Sequence, residues 1–385
     1  MTVEWVVVGA GFTGATFAER MAAAGKRVAV VERRSHIGGN AYDSKNEHGI
    51  LVHRYGPHIF HTNSKVVWEY LSKFTAWRPY EHRVLGLIDG KFVPIPFNLN
   101  SLAALFPASA AARIESALVG QFGLDSKVPI LKLRRSENVE IRKIADYVYH
   151  NVFEGYTIKQ WQLRPEELSP SVTARVPVSI GRDDRYFQDT YQAIPLRGYA
   201  ALFHKMLDHP KIEVMLNYDW KSASAASARS RVLFTGAIDE LLDYRFGPLA
   251  YRSLRFEEHT LEEVQHQPVG TTNYPNNYDY TRITEQKIIT GEKAPFTTLI
   301  TEYPLPHEPG KTIPYYPIPR DENQALYNKY AEAAGTEFPH VCFAGRLADY
   351  QYYNMDQACA RALKLAAEYG GGAWPPILSA TEAKL

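Results

Sequence analysis

The stretch Val3 to Asn40, VEWVVVGAGFTGATFAERMAAAGKRVAVVERRSHIGGN, constrains the fold more than any other. An apolar run, Val3 with Trp5 to Val8, reads as a buried parallel strand. It ends in Gly9-Ala10-Gly11-Phe12-Thr13-Gly14, the G-x-G-x-x-G spacing. A helix-forming run from Ala15 to Ala24 follows, and Gly25 is placed to end it. Arg27 to Glu32 then reads as a second strand closing on an acid. In such a unit Gly9 permits a tight turn, Gly11 lets backbone approach a pyrophosphate, and Gly14 lets helix and strand pack closely. The helix N-terminus offers free N–H groups and a positive dipole end to the phosphates. Glu32 can accept hydrogen bonds from adenosine ribose hydroxyls, and an acid there argues against the 2′-phosphate of NADP. Strand, turn, helix, strand and acid together meet the context that an isolated glycine pattern lacks.

The unit alone does not separate FAD from NAD. The second glycine pair, Gly38-Gly39 before Asn40, resembles FAD-binding proteins, and that resemblance favours FAD. At 385 residues the chain exceeds one comfortable core, so two or three domains are expected. A net charge of +1 leaves no global field to attract nucleic acid or a membrane. Cys342 and Cys359 give neither a disulfide framework nor a metal spacing. No N-terminal segment reads as a signal peptide and no run approaches the ~18 apolar residues of a membrane span, so a cytoplasmic location is expected.

Along the chain, His48-Gly49 marks a turn between short strands and Tyr55 to His61 a loop. His58 and His61 lie three apart with no third ligand nearby, which favours packing or ligand contact over a metal. Val66 to Phe74 has helical spacing. Glu81 to Val93 reads as a hairpin turning at Asp89-Gly90, and Pro94 to Phe97 breaks that pattern. Leu102, Leu105, Ile114, Leu118, Phe122, Ile141, Ile144, Val148 and Val152 recur at helical intervals, a separate helical insertion. Tyr156 to Tyr199 is rich in aromatics and arginines, and Pro165, Pro170 and Pro177 argue for a loop. The small polar segment 222–230 reads as a surface loop. Apolar strands ending in glycine recur at Val232 to Gly236 and Val341 to Gly345. The expected class is α/β: a Rossmann-like FAD-binding domain with a helical insertion and a mostly antiparallel β-sheet domain. The FAD-binding domain is expected from 1–80, 200–240 and 330–370, and the helical domain from 97–160. The substrate sheet is expected from 81–96, 178–199 and 241–329, with a mobile loop at 163–177 and a disordered tail at 371–385.

Six stretches, GAGFTGATFAE, ERRSHIGGNAYD, YGPHIFHT, FEGYTIKQW, YTRITE and AGRLADYQYYNMDQ, together resemble the bacterial UDP-galactopyranose mutase family, from Val3 to about Tyr369. That resemblance implies FAD, active when reduced, and interconversion of UDP-galactose with UDP-galactofuranose without net redox change. It implies that reduced flavin N5 attacks the anomeric carbon and expels UDP. Arg175 and Arg282 then hold the diphosphate, a role that suits the planar, permanently charged guanidinium. Trp161 and Tyr156, with Tyr186 and Phe153, match a uracil platform, since aromatic faces stack bases. Thr157, Asn273 and His82 fall among substrate contacts. Tyr316 and Tyr352 match tyrosines at the diphosphate, with Tyr315 the alternative one residue earlier. His58 and His61 match histidines at the flavin face, His61 with a catalytic part. Gly39, Asn40, Arg33 and Arg346 are expected at FAD. The helix starting near Met355 is expected to aim its positive end at the flavin pyrimidine edge. The family usually has aspartate where this chain has Asn354, which reads as a helix cap three residues before Gln357. A homo-oligomer is expected, and the alternative reading is an FAD-dependent amine oxidase.

Overall fold

The computed structural model describes residues 3–168, 176–220 and 230–370. The sequence expectations for the tail at 371–385, for the surface loop at 222–229 and for Arg175 therefore lie outside the described residues.

The fingerprint stretch supplies two interior strands of a five-stranded parallel sheet. Its order is Ile212–Leu216, Val28–Glu32, Trp5–Val8, Arg231–Phe234 and Val341–Phe343. The two central strands are almost wholly buried, as strands covered on both faces must be. The helix Phe12–Ala23 lies against the sheet and against the helix Met355–Glu368. The approach depends on Gly14, where an added Cβ would overlap the Gly9 carbonyl oxygen. Gly9 has φ +101°, and a Cβ there would overlap Thr235, so neither position admits a side chain.

A seven-stranded sheet forms the second layer. Its order is Tyr316–Pro317, Tyr251–Leu261, Thr297–Pro306, Arg282–Glu285, Thr271–Asn273, Val84–Ile88 and Lys91–Ile95. Every pairing is antiparallel except Thr271–Asn273 with Val84–Ile88. Pro94 does not end the hairpin as its sequence suggests. Lys91–Ile95 is an edge strand, where a missing N–H costs no ladder bond. Segment 178–199 does not join this sheet either. Val178–Ile180 pairs with Ser126–Val128 of the helical insertion, and Tyr191–Pro195 lies between Phe60–Thr62 and Trp77–Pro79.

The insertion packs Ile114, Leu118, Ile141, Ile144 and Val148 into a core that it shares with Val84, Ile88, Val93 and Ile95 of the seven-stranded sheet. Its last helix, Val139–Val148, is capped by Asn138, which accepts from the backbone N–H groups of Glu140 and Ile141. It runs through a π turn, Tyr149–Glu154, into a further helix, Gly155–Trp161. Tyr156 to Trp161 is therefore helical, not loop, because the prolines that would forbid it begin only at Pro165. No helix among the described residues is long and apolar enough to cross a membrane.

Candidate functional site

Two cavities meet where His58, Arg346, Asn354 and Met355 line both. The first follows the fingerprint. Gly9, Gly11, Gly14, Glu32, Arg33, Gly39 and Asn40 all line it. Gly39 lies against Gly11, so the two glycine loops present bare backbone side by side. Buried Glu32 accepts from the Ala10 N–H (2.9 Å) and the Arg34 N–H (3.0 Å), which fixes the carboxylate at the rim. Arg33 is exposed and paired with Glu240 at 3.1 Å.

Its neighbour Arg34 is the more telling cation. It lies over the Tyr55 ring (4.4 Å) and donates to Asn40 Oδ1 (2.8 Å). Its Nη1 is buried with no hydrogen-bond partner among the described residues. Arg346 donates to the Tyr353 carbonyl (2.6 and 3.2 Å) and lies near the rings of Tyr316 and Tyr352. An orphaned guanidinium nitrogen, a helix N-terminus and bare glycine backbone form a cradle for a dinucleotide pyrophosphate. These residues fit FAD, with the N-terminus of Met355–Glu368 at the junction where the flavin end would lie. Asn354 caps that helix, and Gln357 Oε1 accepts from the Asn354 N–H at 2.9 Å.

The second cavity, roughly 930 Å³, is built by the helix Gly155–Trp161 facing the seven-stranded sheet. Two cations, half-buried Lys159 and buried Arg252, tie that helix down. Lys159 donates to the carbonyls of Tyr274, Tyr278 and Tyr280. Arg252, 2% exposed, donates to the Gln160 carbonyl at 2.8 Å. Burial pulls the Lys159 ammonium down to about 8 and the Arg252 guanidinium down to about 10. The helix thereby presents Tyr156, Gln160 and Trp161 to the cavity.

Tyr316 and Tyr352 stack at 5.0 Å and 13°, with Trp161 6.3 and 6.2 Å from their rings. Tyr315 lines the first cavity and Tyr316 the second. Arg282 donates to the Tyr156 hydroxyl (2.6 Å), and its Nε is 3.1 Å from the buried Glu302 carboxylate. Thr281 donates to the same carboxylate. His61, His82, Tyr186 and Asn273 complete the wall. Burial pushes His58 down to about 4 and His82 to about 3, so both stay neutral at ordinary pH. Phe153 instead packs in the core between the helical insertion and the hairpin Val84 to Ile95, and neither it nor Thr157 lines either cavity.

Among the residues that shape the site, Arg34, Glu302 and Asp189 had no role in the sequence expectations. Asp189 accepts from His61 Nδ1 at 2.9 Å. Arg34 had a usable signal, a second arginine beside the ribose acid. The other two had none, since a single acid in a strand or loop carries no local pattern. No group of three or more His, Cys, Asp or Glu able to hold a metal occurs among the described residues.

Set against known proteins, residues 151–352 match the family model described as UDP-galactopyranose mutase. Residues 7–74 match that of the NAD(P)-binding Rossmann-like domain. The chain is 35% identical to a probable UDP-galactopyranose mutase of Klebsiella pneumoniae, covering 94% of each. It is 34% identical to a dTDP-fucopyranose mutase of Escherichia coli, covering 94% of this chain and 97% of that one. A crystal structure of reduced UDP-galactopyranose mutase superposes with TM-score 0.73 over 96% of this chain and 94% of that one. At 16% identity this is a likeness of fold.

Proposed function

The chain belongs to the UDP-galactopyranose mutase family, and from that membership we propose that it interconverts UDP-galactopyranose and UDP-galactofuranose. The carrying observation is the second cavity. A guanidinium backed by a buried carboxylate, an indole and two stacked phenols line one wall beside the cofactor cradle. Bound FAD in its reduced form would supply an electron-rich N5 as nucleophile toward the sugar's anomeric carbon.

The protein's own part is binding and electrostatics. Arg282, fixed by Glu302 and Tyr156, meets the diphosphate and stabilises it as charge develops on the departing UDP. Trp161 and Tyr156 offer aromatic faces to the uracil. Tyr316 and Tyr352 offer hydroxyls near the diphosphate, and Arg346 spans the two cavities. The positive dipole end at the capped start of Met355–Glu368 lines both cavities and would favour an anionic reduced flavin bound there.

The test is to incubate the dithionite-reduced holoenzyme with UDP-galactofuranose and separate the products by chromatography. UDP-galactopyranose should form, and air-oxidised enzyme should be inactive. Full activity without a reductant would overturn the nucleophilic reading. Because one relative of nearly equal similarity is a dTDP-fucopyranose mutase, the same assay is run with a dTDP-6-deoxyhexose. Turnover of that sugar alone would reassign the substrate.

A further inference from the structure

The ring contraction proposed above has a proton requirement that the nucleotide-binding groups do not meet. Going from pyranose to furanose, the C1–O5 bond breaks and its electron pair stays on O5, which takes a proton. A C1–O4 bond forms from an O4 lone pair, and O4 loses a proton. One proton is relocated and none is consumed.

Several ionisable groups line the second cavity. Glu302 is engaged by Arg282 and Thr281. Burial pushes the Tyr156 and Tyr316 phenols up, out of reach of a proton carrier near neutral pH. His58 and His82 are driven neutral by burial. His61 alone among the three cavity histidines is paired with a carboxylate.

Its setting is fixed on every side but one. The ring stacks on Phe187 at 3.6 Å and 12°. Nδ1 meets Asp189 Oδ2 at 2.9 Å. Asp189 Oδ1 accepts from Asn63 Nδ2 at 2.9 Å, and Asn63 Oδ1 accepts from the Thr190 N–H. The hydrogen bond from His61 holds the Asp189 carboxyl below the usual carboxylate range. The other titratable groups facing the ring are His82, across Phe187, and Asp356, whose carboxylate accepts from Thr62 behind it. Nε2 has no hydrogen bond to a described residue and is not sealed off.

We propose that Asp189 and His61 form a dyad that carries the relocated proton from O4 to O5 of the sugar. His61 Nε2 gives a proton to O5 as C1–O5 opens, with the lone pair of the cofactor nitrogen that would be bonded to C1 replacing the broken bond and returning to that nitrogen when C1–O4 forms. The neutral ring then takes the O4 proton as C1–O4 closes, so His61 ends as it began. Asp189 is a positioning residue. It holds Nδ1–H, directs Nε2 to the cavity and compensates the ring's charge, as a carboxylate behind a catalytic histidine does. The inference rests on the mutase reading.

The test uses reduced, FAD-loaded wild type, His61→Gln, His61→Ala, Asp189→Asn and Asp189→Glu. His61→Gln should lose about a hundredfold in kcat and Asp189→Asn roughly tenfold, the range of general acid–base effects, with KM for the UDP-sugar within about twofold. Asp189→Glu should restore part of kcat, and free imidazole should partly rescue His61→Ala. In protein labelled with 15N-histidine, the His61 resonance, identified by its loss in His61→Gln, should shift in Asp189→Asn. Wild-type kcat in Asp189→Asn overturns the dyad while leaving the mutase reading intact. So does a fall in kcat matched by loss of bound FAD, which would mark a structural role. Failure of the wild type to interconvert the two UDP-sugars removes both.

Discussion

Arg282 shows how much one residue's environment decides. Alone, an arginine facing solvent forms ion pairs worth little. Here the guanidinium sits between the Tyr156 hydroxyl and a carboxylate that is 3% exposed, on the wall of a cavity. Glu302 cancels most of its charge while fixing its orientation. Arg282→Ala should therefore weaken UDP binding about tenfold, and Glu302→Gln, which keeps the shape but frees the positive charge, should tighten it by a similar factor. A calorimetric titration reads both, and equal signs would contradict this account. Arg282→Ala should also lower turnover about a hundredfold, the loss expected for one fixed transition-state donor. Arg282 was visible in the sequence because it sits in a distinctive string, Tyr280 to Glu285. Glu302 and Asp189 were not, because their meaning comes from strand register and loop packing. Arg282 faces Glu302 only because their strands pair antiparallel.

At the scale of elements, the segment Gly155–Trp161 misled the sequence reading most. Its prolines follow rather than interrupt it, and the π turn before it leaves no periodic signature. The fingerprint strand–turn–helix was legible because each glycine answers to a specific close approach. The edge strand with Pro94 was not, because edge position is a property of the sheet. Gly155 shows the same dependence on context. Its added Cβ would overlap the Pro275 carbonyl and the Asn276 side chain. Gly120, in the helix Ala108–Phe122, has nothing within 4 Å. Gly120→Ala should stabilise the protein by about 0.5–1 kcal/mol through helix propensity. Gly155→Ala should destabilise by about 1–3 kcal/mol through overpacking against backbone. It should also weaken UDP binding, since the same helix carries Tyr156 and Trp161. Denaturant midpoints and UDP titrations of the two variants give the comparison, and a stabilised Gly155→Ala would refute it.

For the whole molecule, buried histidines make the response to acid. His53 and His82 are pushed down to about 3 and His58 to about 4, in each case chiefly by burial. His58 lines both cavities and His82 the second. His53 Nδ1 accepts from the His58 N–H at 3.1 Å, and the His53 N–H donates to Gln286 at 3.1 Å. Between pH 6.5 and these lowered values the unfolded chain binds protons that the folded one refuses, so stability falls as pH falls through that window. Moving from pH 7 to 5, each histidine costs about 2 kcal/mol at most. Two buried carboxyls oppose this. Burial raises Asp43 and Asp239 to about 6, so the folded protein gains protons that the unfolded one does not, worth about 1 kcal/mol each over the same interval. Three losses outweigh two gains by about 3–4 kcal/mol, so the denaturant midpoint should be lower at pH 5 than at pH 7. His53→Gln keeps a side chain of similar reach without the titration, and its midpoint should fall less over the same interval. A wild-type midpoint that rises toward pH 5 would mean the carboxyls dominate. A His53→Gln slope equal to that of the wild type would mean this histidine takes up its proton while still folded.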